Sequence, residues 1–190
     1  MQIVGYVILG ALVVGLLVFL WRVVPAPSRL LINQRSEPYF PETSGSNLLR
    51  QAYSIPADLE GELNIIFVAF LQNQQPIVNT WVPFAQEAEA QFAQVAYYEF
   101  PTLDGGSAVF RTFLNEGMRA GIPDPVSRER TITLYIDLDQ FLQATDTPNI
   151  NNMHTLLINK DGEILWRTTG RFTQEKGSEL TGVLESMSQQ

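Results

Sequence analysis

The spacing of apolar side chains changes along this chain at identifiable points, and each change marks an element. The first run, IVGYVILGALVVGLLVFLW from Ile3 to Trp21, carries no charged side chain. As a helix it would span about 28 Å, close to the roughly 30 Å hydrocarbon core of a bilayer. It predicts a transmembrane helix, with Tyr6 and Trp21 near the two interfaces. No Lys or Arg precedes the run, and it is longer than the apolar stretch of a signal peptide, so an uncleaved anchor over residues 1–22 is expected. Arg22, Arg29 and Arg35 follow it. That basic bias places the remaining domain on the cytoplasmic face of a single-pass membrane protein.

Residues 23–60 lose periodicity. PAPS, EPYFPETSGS and SIPADLEG punctuate them with proline, serine and glycine, and the stretch reads as a linker. SNLLRQAY within it reads as a short helical turn. Tyr39, Phe40, Leu48, Leu49 and Tyr53 are costly to leave in water, so the linker is expected to lie against the domain that follows.

Residues 61–190 read as one domain. LNIIFVAFL, Leu63 to Leu71, is a short, nearly continuous apolar run, the pattern of a strand covered on both faces. Trp81, Phe84, Ala88, Phe92 and Val95 then recur at helical spacing, with Asn79 or Thr80 available as a cap. QVAYYEF, Gln94 to Phe100, predicts a second strand. Ser107 is placed to cap a helix whose Val109, Phe110, Phe113, Leu114 and Met118 are expected to face inward. Thr131 to Asp137 alternates strictly and predicts a strand near an edge, and DQFLQAT a short helical turn. Thr155–Asn159 and Ile164–Thr168 predict a hairpin, with Asp161-Gly162 suited to a type I′ turn. A last helix starting at Thr173 or Ser178 would bury Leu180, Val183, Leu184 and Met187. The order β-α-β-α-β-(short α)-β-β-α predicts an α/β fold, a mixed sheet flanked by helices.

Composition narrows the chemistry. The 190 residues carry 12 basic and 20 acidic side chains, a formal charge of -8, which argues against a nucleic-acid partner. Cysteine is absent. Disulfides, thiolate nucleophiles and cysteine-ligated metals are therefore excluded. A single histidine excludes a His-rich zinc site. No metal, cofactor or catalytic residue is assigned.

The candidate site residues are few. Arg119, Arg128 and Arg130 are the basic concentration of an acidic domain. They are either solvent-facing ion pairs of small worth or a docking surface for a partner's carboxylates or lipid phosphates. His154, at a loop-to-strand boundary, is expected to be structural or part of a binding lip. A rival reading makes it the centre of an enzyme with non-thiol chemistry, although the sequence places no nucleophile or orienter beside it.

The element order and HTLLINKDGEILWRTTGRFT, His154 to Thr173, resemble thioredoxin-like domains of the peroxiredoxin and membrane-anchored thiol-reductase kind. The resemblance covers roughly Leu63 to Met187. It implies a cis-proline where this chain has His154, and a Cys-x-x-Cys where it has LQNQQPIV, Leu71 to Val78. Thiol-disulfide exchange needs a thiolate, so the activity is lost even if the fold is kept. Gly117 to Asp137 more distantly resembles the ATP10-like family, whose members look like membrane-associated thioredoxin-like proteins that lack a reductase motif and act in ATP synthase assembly. The expectation is a membrane-anchored, redox-inactive thioredoxin-like interaction or assembly module, held in the bilayer through residues 3–21 and bound to another membrane-associated protein.

Overall fold

The computed structural model describes residues 37–188. Its strands are β1 Thr43–Asn47, β2 Ala52–Ile55, β3 Leu63–Ala69, β4 Val95–Asp104, β5 Ile132–Ile136, β6 His154–Asn159 and β7 Ile164–Thr169. Its helices are α1 Gln75–Val78, α2 Val82–Gln91, α3 Ala108–Gly121, α4 Pro125–Arg130, α5 Leu138–Ala144 and α6 Gln174–Ser188. A 3-10 turn, Gln72–Gln74, leads into α1.

The strands form one sheet in the order β2-β1-β5-β4-β3-β6-β7. The central β3, β4 and β5 are parallel. β6 pairs antiparallel with β3, and β7 with β6. The apolar run of β3 follows from its place. Ile65 and Phe67 pack on one side with Trp81, Ala85, Ala88, Leu180 and Leu184, from α2 and α6. Ile66 and Val68 pack on the other with Phe40, Phe100 and Phe141. A strand buried on both faces has no polar phase, and each such side chain contributes roughly 1.5–3 kcal/mol by leaving water.

The transmembrane helix expected over residues 3–21 falls outside the described residues. Among the described residues no helix is long and apolar enough to cross a membrane. The longest, α6, has 15 residues, about 23 Å, with glutamates and a lysine along it. The expected architecture is corrected to that extent: the described α/β domain, residues 37–188, contains no transmembrane helix. The described residues therefore give no support to the membrane anchor, the bilayer and membrane-associated partners, the single-pass localisation or the cytoplasmic placement of the domain.

Part of the stretch read as linker is sheet. β1 is only TSGSN, too short and too polar to show a period, yet it pairs with β5 and β2. Gly45 allows the approach: a Cβ there would lie 2.7 Å from Ile132 Cγ2 and 2.9 Å from the Thr133 carbonyl. SNLLRQAY is a strand end, a turn and a strand start rather than a helical turn. Asn47 Oδ1 accepts from the amides of Leu49 (3.0 Å) and Gln51 (2.9 Å) and fixes that turn. Because β1 covers its flank, β5 is interior rather than near an edge.

Two local expectations change for similar reasons. Thr80 does not cap α2. Its Oγ1 donates to the Ile77 carbonyl (2.6 Å) and accepts from the Phe172 amide (3.1 Å), joining the start of α2 to the chain before α6. The β6–β7 turn is not type I′. Of Asp161 and Gly162, only Gly162 has positive φ, 78°, and its amide donates to the Asn159 carbonyl at 3.1 Å. Asn159 Oδ1 also accepts from the amides of Asp161 and Glu163. That side-chain bracket favours a type I turn closed by a left-handed glycine.

Candidate functional site

The loop after β3 occupies the place where the resemblance implies a redox pair. Gln74 organises it. The side chain is 2% exposed. Its Oε1 accepts from the Phe70 amide at 2.8 Å and the Leu71 amide at 3.3 Å, and its Nε2 donates to the Ile150 carbonyl at 2.8 Å. One amide side chain thus uses both ends to tie the β3–α1 loop to the loop before β6. Outside this tie, Leu71, Gln72, Asn73 and Pro76 line an open depression of about 460 Å³. None of these groups is a nucleophile, and the chain has no thiol to replace one.

Beneath the start of α1, Glu99 lies on β4 opposite Phe67 of β3. Gln75 Nε2 donates to its Oε2 at 2.9 Å. Burial pushes the Glu99 carboxyl above the usual range, and the Gln75 bond works against that shift.

His154 opens β6, paired with Val68 of β3 and Thr169 of β7. The peptide bond before it is trans; among the described residues the cis bond is Ile55–Pro56. The imidazole is 6% exposed and stands edge-on to Phe70, with ring centroids 6.1 Å apart. Nε2 is buried without a hydrogen-bond partner. Burial holds the imidazole below the usual histidine range; a backbone bond at Asn149 opposes this, and the Arg167 charge adds to it. A general base needs substrate access and a positioned proton donor, and this ring is covered by an aromatic edge. The geometry does not support the rival enzyme centred on His154. Among the described residues no group of three or more His, Cys, Asp or Glu side chains could hold a metal ion. The chain's lack of cysteine excludes thiol-based chemistry.

The three arginines are spread between two places. Arg119 Nε donates to the Leu48 carbonyl at 2.6 Å, and its guanidinium pairs with Glu116. Arg128 donates to the carbonyls of Ile122 (2.6 Å) and Arg119 (2.8 Å). These two tie α3, α4 and the β1–β2 turn together. Arg130 sits elsewhere, paired with Glu60 (3.1 Å) and Glu89 (2.8 Å) and lying 5.6 and 5.3 Å from the ring centroids of Tyr97 and Tyr98. His154, on β6, is three strands away from β5 in the sheet. The fold therefore does not gather the four candidate residues into one site.

Sequence reasoning missed the orientation of α3. Ser107 caps it as expected, accepting from the Phe110 amide. No residue of the helix is buried, however, and Val109, Phe110 and Phe113 are 81, 48 and 77% exposed. The helix docks through a mixed side, on which Leu114 and Met118 are half-buried as expected beside Arg111, Asn115 and Arg119. Tyr135 Oη of β5 donates to the Arg111 carbonyl (3.2 Å) and to Asn115 Oδ1 (2.9 Å), Arg111 lies over the Tyr135 ring at 4.9 Å, and Arg119 reaches Leu48. The apolar spacing is the same whichever side faces the sheet. One signal does discriminate: Gly117 and Ala120 fall on the Phe113 stripe, and small residues give a docked face little to bury.

No protein-family model and no curated protein matches the chain. Solved structures do. BsSco, a member of the Sco family of cytochrome c oxidase assembly proteins, matches with a TM-score of 0.53 at 13% identity, over 80% of this chain and 95% of that one. A thiol:disulfide interchange protein from Bacteroides sp. matches with a TM-score of 0.51 at 13% identity, over 81% of this chain and 90% of that one. At such identity the likeness speaks for the fold alone, and it shows no specific link to the ATP10-like family. The fold is thioredoxin-like, distantly so, in a chain that lacks cysteine.

Proposed function

We propose that the protein is a redox-inactive thioredoxin-like module that binds another protein through the exposed apolar face of α3. The observation that carries this reading is the outward turn of Val109, Phe110 and Phe113 from a helix with an apolar stripe and no buried residue. Large apolar patches on a monomer mark interaction sites more often than chance, and aromatic side chains dominate binding energy where they become buried. Arg119 and Arg128 enter as the frame that holds α3 in place, and not as the gripping groups considered from sequence, because their donors are taken up by backbone carbonyls. From the ATP10-like resemblance of Gly117 to Asp137 we carry only the idea of a thioredoxin-like body put to a use other than redox.

The test is cross-linking of the full chain in extracts of its own cells, beside a Phe110→Ser/Phe113→Ser variant. Both residues are exposed, so the variant should unfold at a urea concentration close to that of the parent. Loss of a reproducible cross-linked protein in the variant supports the reading. Equal capture by both forms, or capture by neither, overturns it.

A further inference from the structure

We infer that His154 is an acid-sensitive latch on the loop between α5 and β6. The loop, residues 145–153, is held to the sheet end at four points, one of them the Gly170 amide, which donates to the Met153 carbonyl at 3.1 Å. Gln74 Nε2 donates to the Ile150 carbonyl, Arg167 donates to the Thr145 carbonyl at 2.8 Å, and His154 bonds to the backbone of Asn149. In the neutral imidazole one nitrogen serves the Asn149 bond and the other, Nε2, is left as a bare acceptor lone pair. Protonation places an N–H on Nε2, where no acceptor waits. A buried imidazolium without a partner for its second proton is disfavoured more strongly than a buried neutral ring.

The surroundings offer no relief. β3 and its following turn contribute Val68 and Phe70, which carry no charge. β7 contributes Thr169 and the Arg167 guanidinium, a like charge for an imidazolium. The loop contributes Asn149 and, at its start, Asp146, whose carboxylate is 81% exposed and lies 3.9 Å from Arg167 rather than on the imidazole. α5 packs Phe141 against Phe70 and not a carboxylate against His154. The accessible response to protonation is for the ring to turn out to water. That movement breaks the Asn149 bond and uncovers the edge of Phe70, which with Phe141 forms the apolar floor beneath the loop. The lowered affinity for the proton agrees in direction, with burial as its first cause.

The chain contains one histidine, so its imidazole signals are unambiguous in an NMR titration. The measurement pairs that titration with hydrogen exchange of residues 146–153 in the full chain at pH 7.5 and pH 5, corrected for intrinsic exchange. The expected result is a midpoint below the free-histidine value of about 6.5, and loop protection lower by roughly tenfold or more at pH 5. A His154→Phe form should lose this pH dependence, and His154→Asn, which keeps a side-chain donor, serves where the phenylalanine form does not fold. A midpoint at or above the free value overturns the inference from the parent protein alone. So does equal protection at the two pH values, or an unchanged pH dependence in the variants.

Discussion

Replacing Gln74 with alanine asks whether one buried amide holds the loop end of this fold together. Three backbone groups lose a partner: the Phe70 amide at 2.8 Å, the Leu71 amide at 3.3 Å and the Ile150 carbonyl at 2.8 Å. They do not weigh equally. A buried donor left unsatisfied costs about 1–3 kcal/mol, and that applies to Phe70, which is 8% exposed. Leu71 is 42% exposed, so water can replace much of its longer bond. The part-buried Ile150 bond contributes about 1 kcal/mol. The sum is about 2–4 kcal/mol. With a urea slope near 2 kcal/mol/M, the unfolding midpoint should fall by about 1–2 M with the slope unchanged. Gln72→Ala, two residues away and exposed, is the control and should move the midpoint by less than about 0.3 M. Hydrogen exchange should place the loss at Phe70 and Ile150 first. A midpoint for Gln74→Ala indistinguishable from the control would refute the reasoning, because the tie would then be geometry without energy.

Glu99→Gln should stabilise the protein at pH 7 and do less at pH 4. The folded carboxyl has a raised pKa, so the folded state binds the proton more tightly than the unfolded chain, and stability falls as pH climbs from the ordinary glutamate value through the folded one; thermal melts of both forms at the two pH values check the sign. Gly45→Ala should destabilise by about 1–3 kcal/mol in urea titration, because its Cβ would sit 2.7 Å from Ile132 Cγ2 and 2.9 Å from a backbone oxygen that cannot yield as a side chain would. A cost below about 0.5 kcal/mol would mean that β1 can shift off β5 freely.

The parts of the fold that could be read from the sequence are those where period and burial coincide. β3 shows itself as an unbroken apolar run because both its faces are covered. α2 and α6 show themselves because their apolar stripes face the sheet. β1 could not be read: TSGSN has no apolar phase, and its pairing rests on a glycine fitting against Ile132 and Leu134. α3 was legible as a helix and illegible as to face, since a stripe predicts that something covers it without naming what. The site fared differently. The absence of thiol chemistry is written in the composition. Gln74 was hidden because a glutamine in a loop reads as solvent-facing until its three partners are placed. The arginine group reads as a cluster along the chain and separates in space, because Arg130 turns to Tyr97, Tyr98 and Glu89 while Arg128 turns to Ile122.

The route of residues 39–47 has a mechanical consequence. The Tyr39 amide is bound to the Ala144 carbonyl at 2.9 Å and the Phe40 amide to the Gly162 carbonyl at 2.7 Å, beside the β6–β7 turn, whereas β1 a few residues later lies on β5, beyond β4 and β3. Phe40 stacks edge-on against Phe100 and Phe141 on the way. The chain thus works as a cinch strap drawn across one face of the sheet. A pull applied at Glu37 would reach the far hairpin before the β1–β5 pairing felt it, and a chain cut at residue 60 would lose the strap and the buried rings of Phe40 and Tyr53 along with it.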